Sequence, residues 1–316
     1  MANQNPQEKF KTLIGGQALI EGILMRGPEK QAIVVRSPEG LVKKVEDLRL
    51  TKKRAKILSW PLIRGVVNFG ASMFNGVKAL MFSAEYFPDE ESDAEPSRFE
   101  KWAEKHLGSE WVEKAVTYFA VVVGIAFSVG LFILLPTFLT GLISGLRENY
   151  LARNLTEGAV KIVLFLGYMI LVSQMKDMKR VFSYHGAEHK TIRCYEAKLP
   201  LTVENVRPMT RFHPRCGTSF LLVVVCISIL CGAFLRVSNT FARMGLHLLM
   251  LPVIVAISYE INRFVGRHDN AFTRALTTPG LCMQRFTTNE PDDSMIEVAI
   301  EALTAVIPEE EGADQW

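Results

Sequence analysis

Apolar positions in this chain follow two patterns that predict different elements. Between Trp60 and Glu85 they recur at Leu62, Ile63, Val66, Val67, Phe69, Met73, Phe74, Val77, Leu80 and Met81, with Arg64, Asn68, Ser72, Asn75 and Lys78 on the other side. That period is an amphipathic helix. Elsewhere the apolar residues run together. The stretch from Ala115 to Ile143 carries no charge, and about 20 apolar residues cross a bilayer core as a helix. Four spans are expected, at 115–143, 159–175, 217–236 and 244–262. Pro136 predicts a kink or tilt in the first. Trp111 and Tyr118 mark its start as an aromatic belt does, and Lys161 is placed to snorkel from the second.

Polar sequence surrounds the spans. Gln31–Arg36 and Leu41–Leu50 read as strands about the turn Ser37-Pro38-Glu39-Gly40. Residues 88–96 are acidic and read as a loop, and Thr277-Thr278-Pro279-Gly280 reads as a turn. Pro291-Asp292-Asp293 opens a helix running to Val306, because proline and acids suit a helix start, and Pro308 ends it. The expected fold is an α-helical integral membrane protein with about four transmembrane helices, a small N-terminal β element, an amphipathic interfacial helix and a cytoplasmic C-terminal helix. Residues 1–59 form the β-containing segment, 60–85 the amphipathic helix and 86–114 an acidic linker and helix. Residues 115–262 form the transmembrane region with a His-rich loop at 176–216, and 263–316 the C-terminal segment. The helix at 60–85 suits either the membrane surface or a soluble core.

The distribution of charge orients the spans. The 176–216 loop holds Lys176, Lys179, Arg180, Lys190, Arg193, Lys198, Arg207, Arg211 and Arg215, whereas 144–158 holds Arg147 and Arg153 and 237–243 holds Arg243. Cytoplasmic loops carry the excess of Lys and Arg, so both termini and the His-rich loop are expected in the cytoplasm of a multi-pass cell-membrane protein. Lys52-Lys53-Arg54 and Lys56, just before the amphipathic helix, suit anionic lipid. A net charge of +3 gives no ground for a nucleic-acid partner. The bilayer is the expected partner, with other membrane proteins second. The five cysteines have no regular spacing and two fall inside an apolar span, which argues against a disulfide framework and fits a reducing compartment. Residues 1–20 lack the apolar core of a secretory signal.

Candidate chemistry concentrates in the His-rich loop. His185, Glu188 and His189 are spaced H-x-x-E-H. On a helix, positions four apart share a face, so two imidazoles can reach one zinc with the carboxylate beside it as base. A third ligand is needed, and His213, Cys216 and Glu260 are the candidates in that order. Gly186 inside the motif weakens a helix, and the plainer account is a loop in which His and Glu bond one another and the backbone. His106 reads as surface, His247 as a helix–helix hydrogen bond, and Cys226 and Cys231 as packing residues. A second constellation, Gly15 to Pro28, is glycine-rich and apolar, with Glu21 and Arg26 embedded. Its glycines suggest close backbone approach. It matches neither a P-loop nor a dinucleotide fingerprint. Glu21 either pairs with Arg26 or reaches the histidine site.

These blocks, with Cys194-Tyr195-Glu196, His213 to Phe220 and Thr287 to Asp293, resemble the YqhQ-like family of uncharacterised bacterial membrane proteins, a domain of unknown function. The resemblance spans roughly residues 12–306. It implies a membrane architecture and a predicted metal-dependent enzyme, with no substrate attached. Two functions are therefore expected. One is a zinc-dependent hydrolase acting on a peptide or lipid at the cytoplasmic membrane interface, with His185 and His189 as ligands and Glu188 as catalytic base. The other is a non-enzymatic membrane-protein biogenesis factor, scaffold or chaperone, with a closed histidine site or none.

Overall fold

The computed structural model describes residues 10–48, 56–87, 109–147, 149–268, 270–310 and 312–315. The acidic run 88–96, the basic triplet Lys52-Lys53-Arg54 and His106 lie outside them. Four strands, β1 (Gly15–Leu19), β2 (Gly22–Arg26), β3 (Lys30–Ser37) and β4 (Gly40–Asp47), are followed by helices α1 (Ile63–Ala84), α2 (Ser109–Val129), α3 (Leu135–Leu142), α4 (Tyr150–Gln174), α5 (Lys176–Glu196), α6 (Gly217–Ala233), α7 (Thr240–Arg267), α8 (Ala271–Thr287) and α9 (Asp293–Thr304). The chain divides into two units. The first comprises Met1–Phe87, Tyr168–Ile227 and Pro252–Trp316, and the second Pro88–Gly167 and Ser228–Leu251.

In the first unit the strands form an antiparallel meander in chain order. The β3–β4 hairpin turns at Ser37–Gly40 as expected, with Gly40 at φ 133° in the region open to glycine. The glycine-rich segment also pairs as a hairpin, β1 on β2, turning through Ile20-Glu21. The two-residue period of β2 and β3 buries both faces. Ile23, Met25, Ala32 and Val34 meet Tyr184 and Ala187 of α5 and Val298, Ala302 and Leu303 of α9. Leu24, Ile33 and Val35 meet Ala79 and Phe82 of α1 on the other side. The sheet is therefore covered by helices on both faces.

Helix α1 combines features of both readings of 60–85. Its C-terminal half covers the sheet through Ala79. Its N-terminal half lies on α7, where Asn68 Nδ2 donates to Tyr259 Oη at 2.8 Å and a Cβ on Gly65 would come within 3.1 Å of Ala256 Cα. Ile63, Val66, Met73 and Phe74 remain exposed. The predicted loop 176–216 is largely the helix α5. The turn expected at Thr277–Gly280 is instead the interior of α8, despite Pro279. Packing overrides propensity there, since a Cβ on Gly280 would lie 2.5 Å from Ser219 Oγ. Helix α9 begins where its sequence signal placed it, with Asp292 capping the Met295 N–H at 2.9 Å.

Among the described residues three helical stretches are long and apolar enough to cross a membrane: Ala115–Leu142, Tyr150–Gln174 and Thr240–Arg267. The fourth expected span, α6, is a shorter apolar helix of 17 residues. At 1.5 Å per residue it extends about 25 Å, less than a bilayer core of about 30 Å. A π-helical turn, Gly130–Leu134, comes just before Pro136, which sits in the first turn of α3.

In the second unit Lys161 does not snorkel. It is buried, with Nζ 3.2 Å from Glu157 Oε1. Glu157 also takes Arg243 Nε at 3.0 Å, His247 Nε2 at 2.8 Å and the Thr137 hydroxyl at 2.8 Å. Removing one partner of a buried ion pair strands the others, at about 3 kcal/mol or more. Glu157→Gln is therefore expected to lower the unfolding midpoint in detergent by several degrees. Glu297→Gln, which removes an exposed partner of Arg36, is expected to leave it within one degree or so.

Candidate metal centre

Helix α5 carries His185, Glu188 and His189 on one face, and the chain leaving α8 crosses it at Gly186. The Asn289 N–H donates to Phe182 O at 2.8 Å and its side-chain amide to Lys179 O at 3.0 Å. A Cβ on Gly186 would sit 2.0 Å from Asn289 O. The residue that weakens the helix is what admits the crossing strand. The crossing brings Thr287 O within 2.7 Å of His185 Nδ1, and Arg211 O lies 2.6 Å from His189 Nδ1. A carbonyl oxygen only accepts, so in both rings Nδ1 carries the proton and, in the neutral ring, Nε2 carries a lone pair.

Those lone pairs converge. His185 Nε2 is 3.1 Å from Cys216 Sγ, and one ligand atom each from His185, His189 and Cys216 lie within 4.8 Å of one another. His189 Nε2 is buried and makes no hydrogen bond among the described residues. Cys216 immediately precedes α6, and the Thr218 N–H donates to its sulfur at 3.4 Å. Burial pushes this thiol up, but His189 and the Thr218 hydrogen bonds outweigh it, so it titrates below the ordinary cysteine value. Burial also holds His189 below the ordinary histidine value. A thiolate and neutral imidazoles are the forms that bind a metal.

Glu188 does not bond the histidines. Its Oε1 accepts the Gly16 N–H of β1 at 3.0 Å, and its Oε2 is buried without a hydrogen-bond partner among the described residues. Burial raises its pKa to about 7. Gly16 permits this approach, because a Cβ there would lie 2.7 Å from Leu24 O and 3.0 Å from Glu188 Cδ. The three donors and Glu188 line a cavity of about 560 Å³, walled also by Gln17, Arg26, Gln31 and, from α1, Ser72 and Asn75.

The other candidate residues are engaged elsewhere. His213 is buried near His189, with ring centroids 5.6 Å apart, but its Nε2 faces Glu196 Oε2 at 3.4 Å. Glu196 also holds Arg215. Glu260 forms a two-pronged pair with Arg64, at 2.5 and 2.7 Å. Glu21 pairs neither with Arg26 nor with the histidines: it holds Arg180 and accepts the Tyr184 hydroxyl at 3.0 Å. The second-ranked third ligand, Cys216, is the one brought to the two imidazoles. The sequence reading missed Glu196, Gln284 (which accepts the His213 N–H at 2.8 Å) and both backbone acceptors. Glu196 alone left a signal, standing two residues beyond Cys194 in one of the blocks that carry the resemblance.

The family model described as a protein of unknown function, DUF1385, matches residues 60–309. A Bacillus subtilis (strain 168) protein named Uncharacterized protein YqhQ is 32% identical over 306 residues, covering 95% of this chain and 94% of its own. No solved structure matches the chain.

Gly186→Ala is expected to destabilise the protein by about 2 kcal/mol or more, because the methyl group meets fixed backbone. Gly70→Ala on the exposed side of α1, where a Cβ meets nothing within 4 Å, is expected to stabilise it by about 0.5–1 kcal/mol. Chemical denaturation of the two variants beside the wild type measures both.

Proposed function

The chain belongs to the DUF1385 family, and on that premise we propose that it is a multi-pass membrane protein whose His185, His189 and Cys216 hold zinc in a hydrolase site at the cytoplasmic interface. The observation that carries this reading is the pair of Nδ1–H···O=C bonds to Thr287 and Arg211, which aim two lone pairs at one sulfur. Such bonds orient the ligands of metal sites and raise their basicity. Three protein donors are the number typical of catalytic zinc, which keeps a position for water. His213 supplies no fourth while Glu196 holds its Nε2. Zinc bound there supplies Lewis acidity and lowers the pKa of water toward neutrality.

The chain's own residues supply the rest. Thr287 and Arg211 hold the ligand tautomers. Glu188, fixed at Oε1 by the Gly16 N–H, keeps Oε2 to take a proton from the attacking water and return it to the leaving group. Membrane placement is supported by the three long apolar helices, and the cytoplasmic side by the Lys and Arg excess in 176–216. In the non-enzymatic reading the cluster is a closed four-donor site or holds no metal; a closed site calls for a fourth protein donor, and none joins the cluster among the described residues.

Metal analysis of the detergent-purified protein tests the site. About one zinc per chain is expected, lost in His185→Ala and Cys216→Ser and kept in His213→Ala, Glu260→Gln and Glu188→Gln. Glu188→Gln is expected to abolish hydrolysis while still binding metal. A folded wild type that takes up no metal after incubation with zinc overturns the reading.

A further inference from the structure

We propose that the cavity beside the His185–His189–Cys216 cluster receives the phosphate-bearing headgroup of a membrane lipid, held by Arg26 and admitted past α1. This rests on the site reading above and names its substrate class.

Arg26 is the last residue of β2, half-buried in the cavity wall. The nearby acid that sequence offers it, Glu21, is taken by Arg180. Among the described residues no carboxylate bonds its guanidinium, and burial works against its charge. Four other arginines of this unit do have partners: Arg64 has Glu260, Arg215 has Glu196, Arg36 has Glu297 and Arg193 has Phe212 O. A half-buried guanidinium without an anion is costly to keep. Its planar fork matches the oxygens of a phosphate. The same wall holds the buried, unpartnered Oε1 of Gln31, so the pull toward a polar ligand does not come from Arg26 alone.

The lipid source follows from what borders the cavity. Ser72 and Asn75 of α1 and Leu221 of α6 line it. Beside those polar residues on α1, Met73 and Phe74 are 46% and 54% exposed, and Leu221 is 42% exposed. Phe69 of α1 packs on Phe220 of α6, with ring centroids 5.7 Å apart. Helix α1 also lies on α7 through Gly65 and Ala256, within one of the stretches long enough to cross a membrane. One flank of α1 thus presents hydroxyl and amide to the cavity, and its neighbouring residues present apolar surface to the surroundings. A ligand with a charged head and hydrocarbon chains satisfies both. A free phosphate satisfies only the first.

The test is a binding titration of the detergent-purified, full-length protein, followed by native mass spectrometry. Three probes are used: dioctanoyl phosphatidylglycerol, dioctanoylglycerol (chains without phosphate) and glycerol 3-phosphate (phosphate without chains). The phospholipid is expected to bind about tenfold or more tighter than either other probe. That preference is expected to vanish in Arg26→Gln and to be weakened in Arg26→Lys, which keeps the charge but loses the fork. Arg207→Gln, on an exposed pair with Asp293, serves as the control and is expected to bind as wild type does. Zinc content is measured on the same samples, so loss of the metal site and loss of the lipid site read out separately. Equal binding of dioctanoylglycerol, or unchanged phospholipid binding in folded Arg26→Lys, overturns the role of Arg26. Equal binding of glycerol 3-phosphate overturns the lipid as the source.

Discussion

The direction in which two imidazoles point is the constraint on which the site depends. A helix with histidines four residues apart puts both rings on one face, yet leaves each free to turn. The turn is fixed by two carbonyl oxygens that can only accept, at Thr287 and Arg211. For Thr287 to serve, the chain leaving α8 must lie against α5, and the backbone of Asn289 touches α5 where residue 186 has no side chain. The same strand of chain then passes through Pro291 into α9, whose Val298, Ala302 and Leu303 close the core over Ile23 and Val34. Imidazole orientation, the glycine crossing and the covering of the sheet are one continuous mechanical condition.

Much of this was legible because it is local. The H-x-x-E-H spacing placed three side chains on one helical face, the Ser37–Gly40 turn gave the β3–β4 hairpin, and the period of 60–85 and the Pro-Asp-Asp start of 291–293 gave α1 and α9. The β1–β2 hairpin was not legible, since Gly15-Gly16-Gln17-Ala18 has no β-branched residue and its glycine is set by a carboxylate 172 residues away in sequence. Partner choice was equally hidden. By residue type His213 outranked Cys216 as a ligand, but Glu196 claims its Nε2. Glu21 and Arg26 stand five residues apart and looked like a pair, yet a hairpin places them at opposite ends of β2, and Arg180 of α5 meets Glu21 instead. Lys161 looked like an interfacial cation, although Glu157 stands four residues before it on the same helix; what the sequence hides is that Arg243 and His247 of α7 join the pair and bury it.

The two units treat buried charge differently. In the second, Glu157 collects Lys161, Arg243 and His247, and Arg243 also bonds Asn154. Each charge of this cluster has an opposite or a carbonyl within reach, as an apolar setting requires. Such a cluster ties α4 to α7 and asks for nothing from outside. The first unit also pairs Arg64 with Glu260 and, beside the cavity, Arg215 with Glu196.

Part of the cavity wall departs from that rule, in both senses of charge. His189 Nε2, Glu188 Oε2 and Gln31 Oε1 are buried without hydrogen-bond partners among the described residues, and Arg26 stands there without an acid. Native proteins leave few such atoms. Others lie elsewhere in the fold, but these three line one cavity. They are also chemically sorted: a lone pair beside a thiol, a carboxylate oxygen next to it on the same helix, and a cation at the end of a neighbouring strand. Simple stability would favour apolar replacements or internal pairing. These open groups, gathered around one space, are the ones that the proposed zinc and phosphate headgroup would engage.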